Sequence, residues 1–68
     1  MNLNNKEMKN MKHDVYYWLN GWVYAGSIRK SHRVNDVLKL NGVPYRLKVD
    51  AVDNNDARGP IIYCYIIE

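Results

Sequence analysis

The sequence predicts a small all-β domain of five short antiparallel strands, and three observations carry that prediction. Two Asn-Gly pairs, Asn20-Gly21 and Asn41-Gly42, stand between apolar runs, as in β-hairpins with two-residue type I′ turns. Apolar residues alternate with polar ones along 43–52, a period of two that indicates a half-buried strand. The stretch 61–67 is β-branched and aromatic, a composition typical of strands.

The first hairpin is expected to pair strand 14–19 with strand 22–29. A two-residue turn would set Tyr17 opposite Tyr24, so that Trp22 and Tyr24 share the face of Tyr17 while Trp18 lies on the opposite face. Both faces would then be apolar or aromatic, whereas a surface hairpin of a monomer usually has one polar face. We therefore expect the second face to be covered by the sheet or by a partner.

The second hairpin is expected to pair strand 36–40 with strand 43–52. Val43, Tyr45, Leu47, Val49 and Ala51 alternate with Pro44, Arg46, Lys48 and Asp50. This strand has one apolar face and one largely charged face, and the charged face is expected to meet solvent.

The last strand, 61–67, carries no charge until Glu68. An exposed edge of this composition would aggregate, so it is expected to be covered by the rest of a barrel or by a second copy of the chain. Ile62, Cys64 and Ile66 are the candidate residues of a dimer interface.

Consecutive hairpins suggest a meander, closed into a small SH3-like or OB-like barrel or left as an open sheet that a homodimer completes. Both alternatives remain open at this point. Residues 1–13 are polar and asparagine-rich and are expected to form a flexible N-terminal tail, with 14–68 as the single domain. The single cysteine cannot form an intrachain disulfide, and a chain of 68 residues has little core, so oligomerisation is the expected source of added stability.

No catalytic or cofactor motif is present. One cysteine and two histidines fall short of a zinc site, and the Asp/Asn-rich loop 53–60 lacks the glycine and glutamate of a calcium loop, so Asx turns explain it better. Cys64 stands among isoleucines and tyrosines, an environment that makes a thiol inert. We expect no enzyme activity and no cofactor. Without a secretory signal or an apolar run long enough to cross a membrane, the expected location is the cytoplasm.

Nucleic-acid binding, to a single strand or to a duplex, is the alternative function. The net charge of +3 permits it. Tyr16 and Trp18 would provide stacking surfaces beside cations, as in small barrels that bind single strands. The candidate contacts are Arg29, Lys30, Arg33, Lys39, Arg46 and Lys48.

Protein binding is the preferred function. The chain has six tyrosines, two tryptophans and no phenylalanine. Tyr and Trp dominate interface hot spots, and their mixed polar and apolar character suits surfaces that a partner covers. The candidate residues are Tyr16, Trp18, Trp22, Tyr63 and Tyr65.

In size and in its bias towards Asn, Lys, Tyr and Ile, the chain resembles short accessory proteins of phages and prophages of low-GC bacteria. The resemblance extends over the whole chain, rests on no motif and assigns no residue a role. It implies a stoichiometric inhibitor, often a homodimer, that binds and blocks a host protein such as a component of antiviral defence in the host cytoplasm.

Overall fold

A computed structural model describes residues 11–67 of the chain. Five strands are present: β1 (His13–Trp18), β2 (Trp22–Ile28), β3 (Val37–Leu38), β4 (Leu47–Asp53) and β5 (Ile61–Ile66). No helix occurs in the described part. The all-β class predicted from the sequence is confirmed.

The strands form one sheet in the order β2-β1-β5-β4-β3. The C-terminal strand β5 therefore lies in the centre, antiparallel to β4 and parallel to β1. The predicted antiparallel meander is wrong at this point, because β5 inserts between the two strand pairs. Central placement gives the most apolar strand a neighbour on each edge, which removes the aggregation hazard that its composition would otherwise create.

The sheet curls into a half-barrel whose inner face holds the core. Eight buried side chains form one cluster: Val15, Tyr17, Leu38, Val43, Leu47, Val49, Ile62 and Cys64. The edge strands β2 and β3 approach each other without pairing, and a Cβ placed on Gly26 would lie 3.9 Å from Leu40 Cδ2. The predicted strand-paired closure of a barrel is thus not found, and completion by a homodimer stays a prediction.

The first turn differs from the predicted two-residue type. Trp18 lies opposite Trp22, so residues 19–21 form a three-residue connection in which Asn20 has φ 56° and Gly21 φ 141°. The pairing of β1 with β2 shifts by one residue between Val15 and Tyr16. As a result Val15 lies opposite Gly26, as the two-residue turn predicted. A one-residue shift in register moves every side chain of a strand segment to the opposite face of the sheet. Here it moves the side chains at the start of β2 to the face opposite the predicted one.

The second turn is also of another type. Val43 N–H donates to Leu40 O at 3.2 Å, closing a β-turn in which only Gly42 has a positive φ, 84°, as in type II rather than type I′. The β3–β4 ladder contains only Val37 opposite Lys48 and Leu38 opposite Leu47. The predicted strand 43–52 is therefore wrong over 43–46, a segment whose proline has no N–H for a ladder.

The remaining connections are short-range turns. In the loop after β4, Asn55 N–H donates to Asp53 Oδ1 at 2.9 Å and Arg58 N–H to Asp56 Oδ1 at 2.8 Å, the Asx turns expected there. At the other end, β1 begins at His13, one residue earlier than expected, and this histidine is buried. Of the rest of the predicted tail, Met11 and Lys12 are exposed and outside any strand, and 1–10 lie outside the described residues.

Candidate protein-binding surface

The outer face of β2, β1 and β5 carries a cluster of aromatic side chains, which we call the aromatic face. Strand register explains its assembly. Tyr16 lies between Tyr24 of β2 and Tyr63 of β5, and one pair further along Trp18 lies between Trp22 and Tyr65. Because side chains two residues apart on a strand share a face, the six rings form two rows across three strands. The members are Tyr16, Trp18, Trp22, Tyr24, Tyr63 and Tyr65.

The rings of the aromatic face pack against one another. Centroid distances are 5.4 Å for Tyr16–Tyr24, 6.3 Å for Tyr16–Tyr63, 5.2 Å for Trp18–Trp22 and 4.9 Å for Trp22–Tyr63. The Trp22 ring contacts both Trp18 of its own row and Tyr63 of the other, both in edge-to-face geometry, which aromatic pairs prefer. The two rows are therefore one connected surface.

Much of this surface is open to solvent. Trp18, Trp22 and Tyr24 are each 52–53% exposed, and Tyr65 is 40% exposed. Tyr16 and Tyr63, in the centre, are half-buried by their neighbours. A contiguous exposed apolar patch on a small domain indicates an interaction site more strongly than scattered apolar residues do.

Charges at the border of the aromatic face are of both signs. The Tyr24 hydroxyl donates to Asp14 Oδ1 at 3.3 Å. Arg58 donates through Nε and Nη2 to the two oxygens of Asp56, at 2.9 and 3.0 Å. These hydrogen bonds lower the pKa of Asp56 to about 2. The hydrogen bond to Asp56 likewise raises the pKa of Arg58.

All five residues predicted to bind a protein lie on the aromatic face: Tyr16, Trp18, Trp22, Tyr63 and Tyr65. The sequence interpretation placed Trp22 on the opposite side from Tyr16 and Trp18, and the register slip described above brings it to theirs. The same slip adds Tyr24, which was not among the candidates. Both faces of 22–28 are apolar or aromatic, so the phase shift caused by an inserted residue is hard to recognise there, and Gly26 inside the strand is the one sequence signal for the irregularity that brings Tyr24 to this face.

The three dimer-interface candidates lie on the inner face instead. Ile62 and Cys64 are 0% and 1% exposed, and Ile66 packs against the core cluster. A partner cannot contact Ile62 or Cys64 while the sheet is folded. Burial, with a smaller contribution from Asp50, raises the pKa of the Cys64 thiol to about 11, so the thiol is protonated at neutral pH, as its sequence surroundings predicted.

The six nucleic-acid candidates are dispersed. Lys48 is half-buried on β4 opposite Tyr65, at the rim of the aromatic face. Lys39 and Arg46 flank the β3–β4 ladder in the 39–46 connection, and the Lys39 ammonium donates to Val43 O at 2.8 Å. Exposed residues of the 29–36 connection complete the set: Arg29, Lys30 and Arg33. Lys39 and Arg46 lie outside the β3–β4 ladder, which ends at Leu38 and Leu47, whereas Lys48 lies within it.

Comparison with known proteins adds no relative: no protein-family profile, curated protein or solved structure matches the chain. Within residues 11–67, no group of three or more His, Cys, Asp or Glu side chains is close enough to hold a metal ion. The same part of the chain contains no helix of the length and apolarity needed to cross a membrane.

Proposed function

We propose that this protein is a non-catalytic interaction module and that the aromatic face is its protein-binding surface. One observation carries the proposal: six aromatic side chains from three strands share one face, five of them are connected by ring contacts, and four of the six are 40–53% exposed. Tyr and Trp are the residues in which interface binding energy concentrates.

The size of the face suits a protein partner. Aromatic side chains bury roughly 150–250 Å² each, so four that are about half exposed offer on the order of 400 Å². That is about half of the ~800 Å² that each partner contributes to a standard interface, before any surrounding polar rim is counted. At ~25 cal/mol per Å², its burial is worth up to about 10 kcal/mol before the costs of association.

The face is also pre-organised. Each ring has two side-chain torsions, stands on a hydrogen-bonded strand and contacts at least one other ring, except Tyr65, for which no ring contact is described. A partner therefore has little side-chain freedom to remove when it binds. This lowers the entropic cost that usually reduces the affinity of small interfaces.

The charge distribution favours a protein over a nucleic acid at this face. Proteins that bind single strands align cations along their stacking rings. Here Arg58 is neutralised by Asp56, and Asp14 borders Tyr24. The cations of the 29–36 connection follow the far end of β2, away from the turn that holds Trp18 and Trp22.

The resemblance to phage accessory proteins sets the specific form of the proposal. We propose an inhibitor that covers a functional surface of a host protein, a component of antiviral defence in the first instance, at one copy per site. A homodimer remains part of the proposal, but the exposed aromatic face, rather than the buried Ile62 and Cys64, is the surface it would use.

Affinity capture from a lysate of a low-GC bacterium tests the proposal with three immobilised forms of the chain. The forms are wild type, Trp22→Ser and Val34→Ser. Trp22 contacts both rows of the aromatic face, whereas Val34 is equally exposed, 53%, in the 29–36 connection. We expect a stoichiometric host protein with wild type and Val34→Ser, and at least tenfold less of it with Trp22→Ser.

Sedimentation of the free protein separates self-association from host binding. If a dimer of the wild type dissociates in Trp22→Ser but not in Val34→Ser, the face binds a second copy. Equal recovery of the same host protein by wild type and Trp22→Ser would contradict the proposed surface. Equal thermal stability of the variants shows that the differences are not caused by unfolding.

A further inference from the structure

A groove lies between the two unpaired edges of the half-barrel, and the residues that line it differ in type from those of the aromatic face. A cavity of about 360 Å³ is lined by residues at the end of β2 and around β3. A second cavity of about 330 Å³ lies alongside residues 25–28 of β2 and 39–41, and it shares Ile28, Lys39 and Leu40 with the first. Together they form a continuous groove, which we call the edge groove.

The backbone along this groove is available for pairing. Among the described strands, β2 pairs only with β1, and β3 only with β4. The longer strand side of the groove is β2, which lines it with residues 25–28, while β3 has only two residues. An unpaired strand edge presents a row of N–H and C=O groups, and it is the usual template for adding an extended peptide.

The lining of the groove has one sign of charge. Its apolar part includes Ile28, Leu38 and Leu40. Arg29, Lys30 and Lys39 also line it, and no aspartate or glutamate is among the described residues that line the two cavities. The apolar and cationic parts together are complementary to a chain that alternates apolar and acidic side chains.

We propose that the edge groove binds an extended acidic peptide segment of a partner protein, which adds to β2 as a sixth strand. The apolar side chains of the peptide would enter the half-barrel, and its carboxylates would meet Lys30 and Lys39. A nucleic-acid strand fits less well, because the described residues that line the two cavities include no Tyr, Trp or Phe, and His32 is the one ring among them on which a base could stack. This site is separate from the aromatic face, so either proposal can fail without the other.

Two synthetic octapeptide pools test the proposal by binding to the full chain. One pool alternates Asp or Glu with Val, Ile or Thr, and the other replaces each acid by Lys or Arg. We expect the acidic pool to bind at least tenfold more tightly. Lys30→Ala/Lys39→Ala should weaken the best acidic peptide at least tenfold, whereas Lys48→Ala/Arg58→Ala, which removes the same charge near the aromatic face, should change its affinity less than twofold.

Backbone methylation distinguishes strand addition from simple charge attraction. A peptide strand that pairs only with β2 directs the N–H groups of every second residue towards β2. Methylating those N–H groups of the peptide should abolish binding, and methylating the N–H groups of the other residues should preserve it. Thermal unfolding of Lys30→Ala/Lys39→Ala shows whether its fold is intact, since Lys39 donates to Val43 O. If that variant is destabilised, Lys30→Ala alone should still weaken the peptide several-fold.

Four results would overturn the proposal. They are absence of acidic-peptide binding at millimolar concentration, equal binding of the charge-inverted pool, equal binding of both methylated peptides, and tighter binding of a ten-nucleotide oligothymidine than of the best acidic peptide.

Discussion

Replacing Ile62 by alanine tests the placement of β5 at the centre of the sheet. Ile62 is fully buried, with Val15 opposite it on β1 and Val52 opposite it on β4. The substitution removes three carbons, worth about 0.8 kcal/mol each in transfer free energy, and leaves a cavity in a core that cannot fully collapse. We expect a loss of about 3–4 kcal/mol in the free energy of unfolding.

That loss is large for a domain of this size. At 4–8 °C per kcal/mol, the melting temperature should fall by roughly 12–30 °C. Thermal unfolding followed by circular dichroism measures the shift, and Val34→Ala, at an exposed site, should change the free energy by less than about 0.5 kcal/mol. Because the contacts of Ile62 lie within one chain, the shift should be the same at every protein concentration.

A different pattern would refute the placement of β5. If the melting temperature of the wild type rose with protein concentration, and Ile62→Ala removed that dependence at a cost below about 1 kcal/mol, Ile62 would lie in an interface between copies. That result would restore the dimer interface expected from the sequence and contradict the described sheet order.

The other expected outcomes concern the tryptophans, Gly26 and Cys64. Trp18 and Trp22 are about half exposed, so we expect a fluorescence emission maximum near that of tryptophan in water and efficient quenching by acrylamide. A blue-shifted emission maximum with weak acrylamide quenching would contradict an open aromatic face. Gly26 has φ 124°, a conformation that costs a residue with a side chain roughly 1–3 kcal/mol, so Gly26→Ala should lower the melting temperature while Ser27→Ala, on the same strand, should not. The Cys64 thiol, whose pKa rises from 9.0 to about 11, should react with a disulfide reagent at pH 8 only after unfolding. The folded state retains this proton, whereas the unfolded chain loses it near pH 9, so the free energy of unfolding should fall as pH rises from about 9 to 11. Cys64→Ala should show a smaller fall than wild type. An equal fall in both would contradict the burial of the thiol.

Local patterns predicted most of the strand content. The start of β2 at Trp22 matches the expected boundary, and β1, β3 and β5 begin or end within two residues of theirs. Alternation also identified Leu47 and Val49 as inward-facing. These features depend on residues close in sequence, which is why the sequence alone suffices for them.

Long-range order was not accessible in the same way. The parallel pairing of β1 with β5 joins residues 47 positions apart, such as Asp14 and Ile61, and no local pattern records it. Ile62 and Cys64 were assigned to an interface because a C-terminal apolar strand was assumed to be an edge. Because β5 is central, the apolar character of Ile62 and Cys64 is explained by their place in the core of one chain rather than by an interface with a partner.

The aromatic face shows how a one-residue shift changes a functional interpretation. Asn20-Gly21 suits a two-residue turn, yet the chain uses a three-residue connection with a compensating irregularity between Val15 and Tyr16. Only the first four residues of β2 change faces, and they include Trp22 and Tyr24. The sequence named five of the six rings, but only the described register shows that they form one surface.

Site-specific photo-crosslinking tests the central claim, that the aromatic face is the protein-binding surface, most directly. A benzophenone amino acid replaces Tyr65 on the face in one form of the chain and Val34 in the other, and both are irradiated in the same bacterial lysate. We expect a discrete crosslinked product of the chain with one host protein, or with a second copy, from position 65 and not from position 34. The same product from both positions, or a product from position 34 alone, would contradict it.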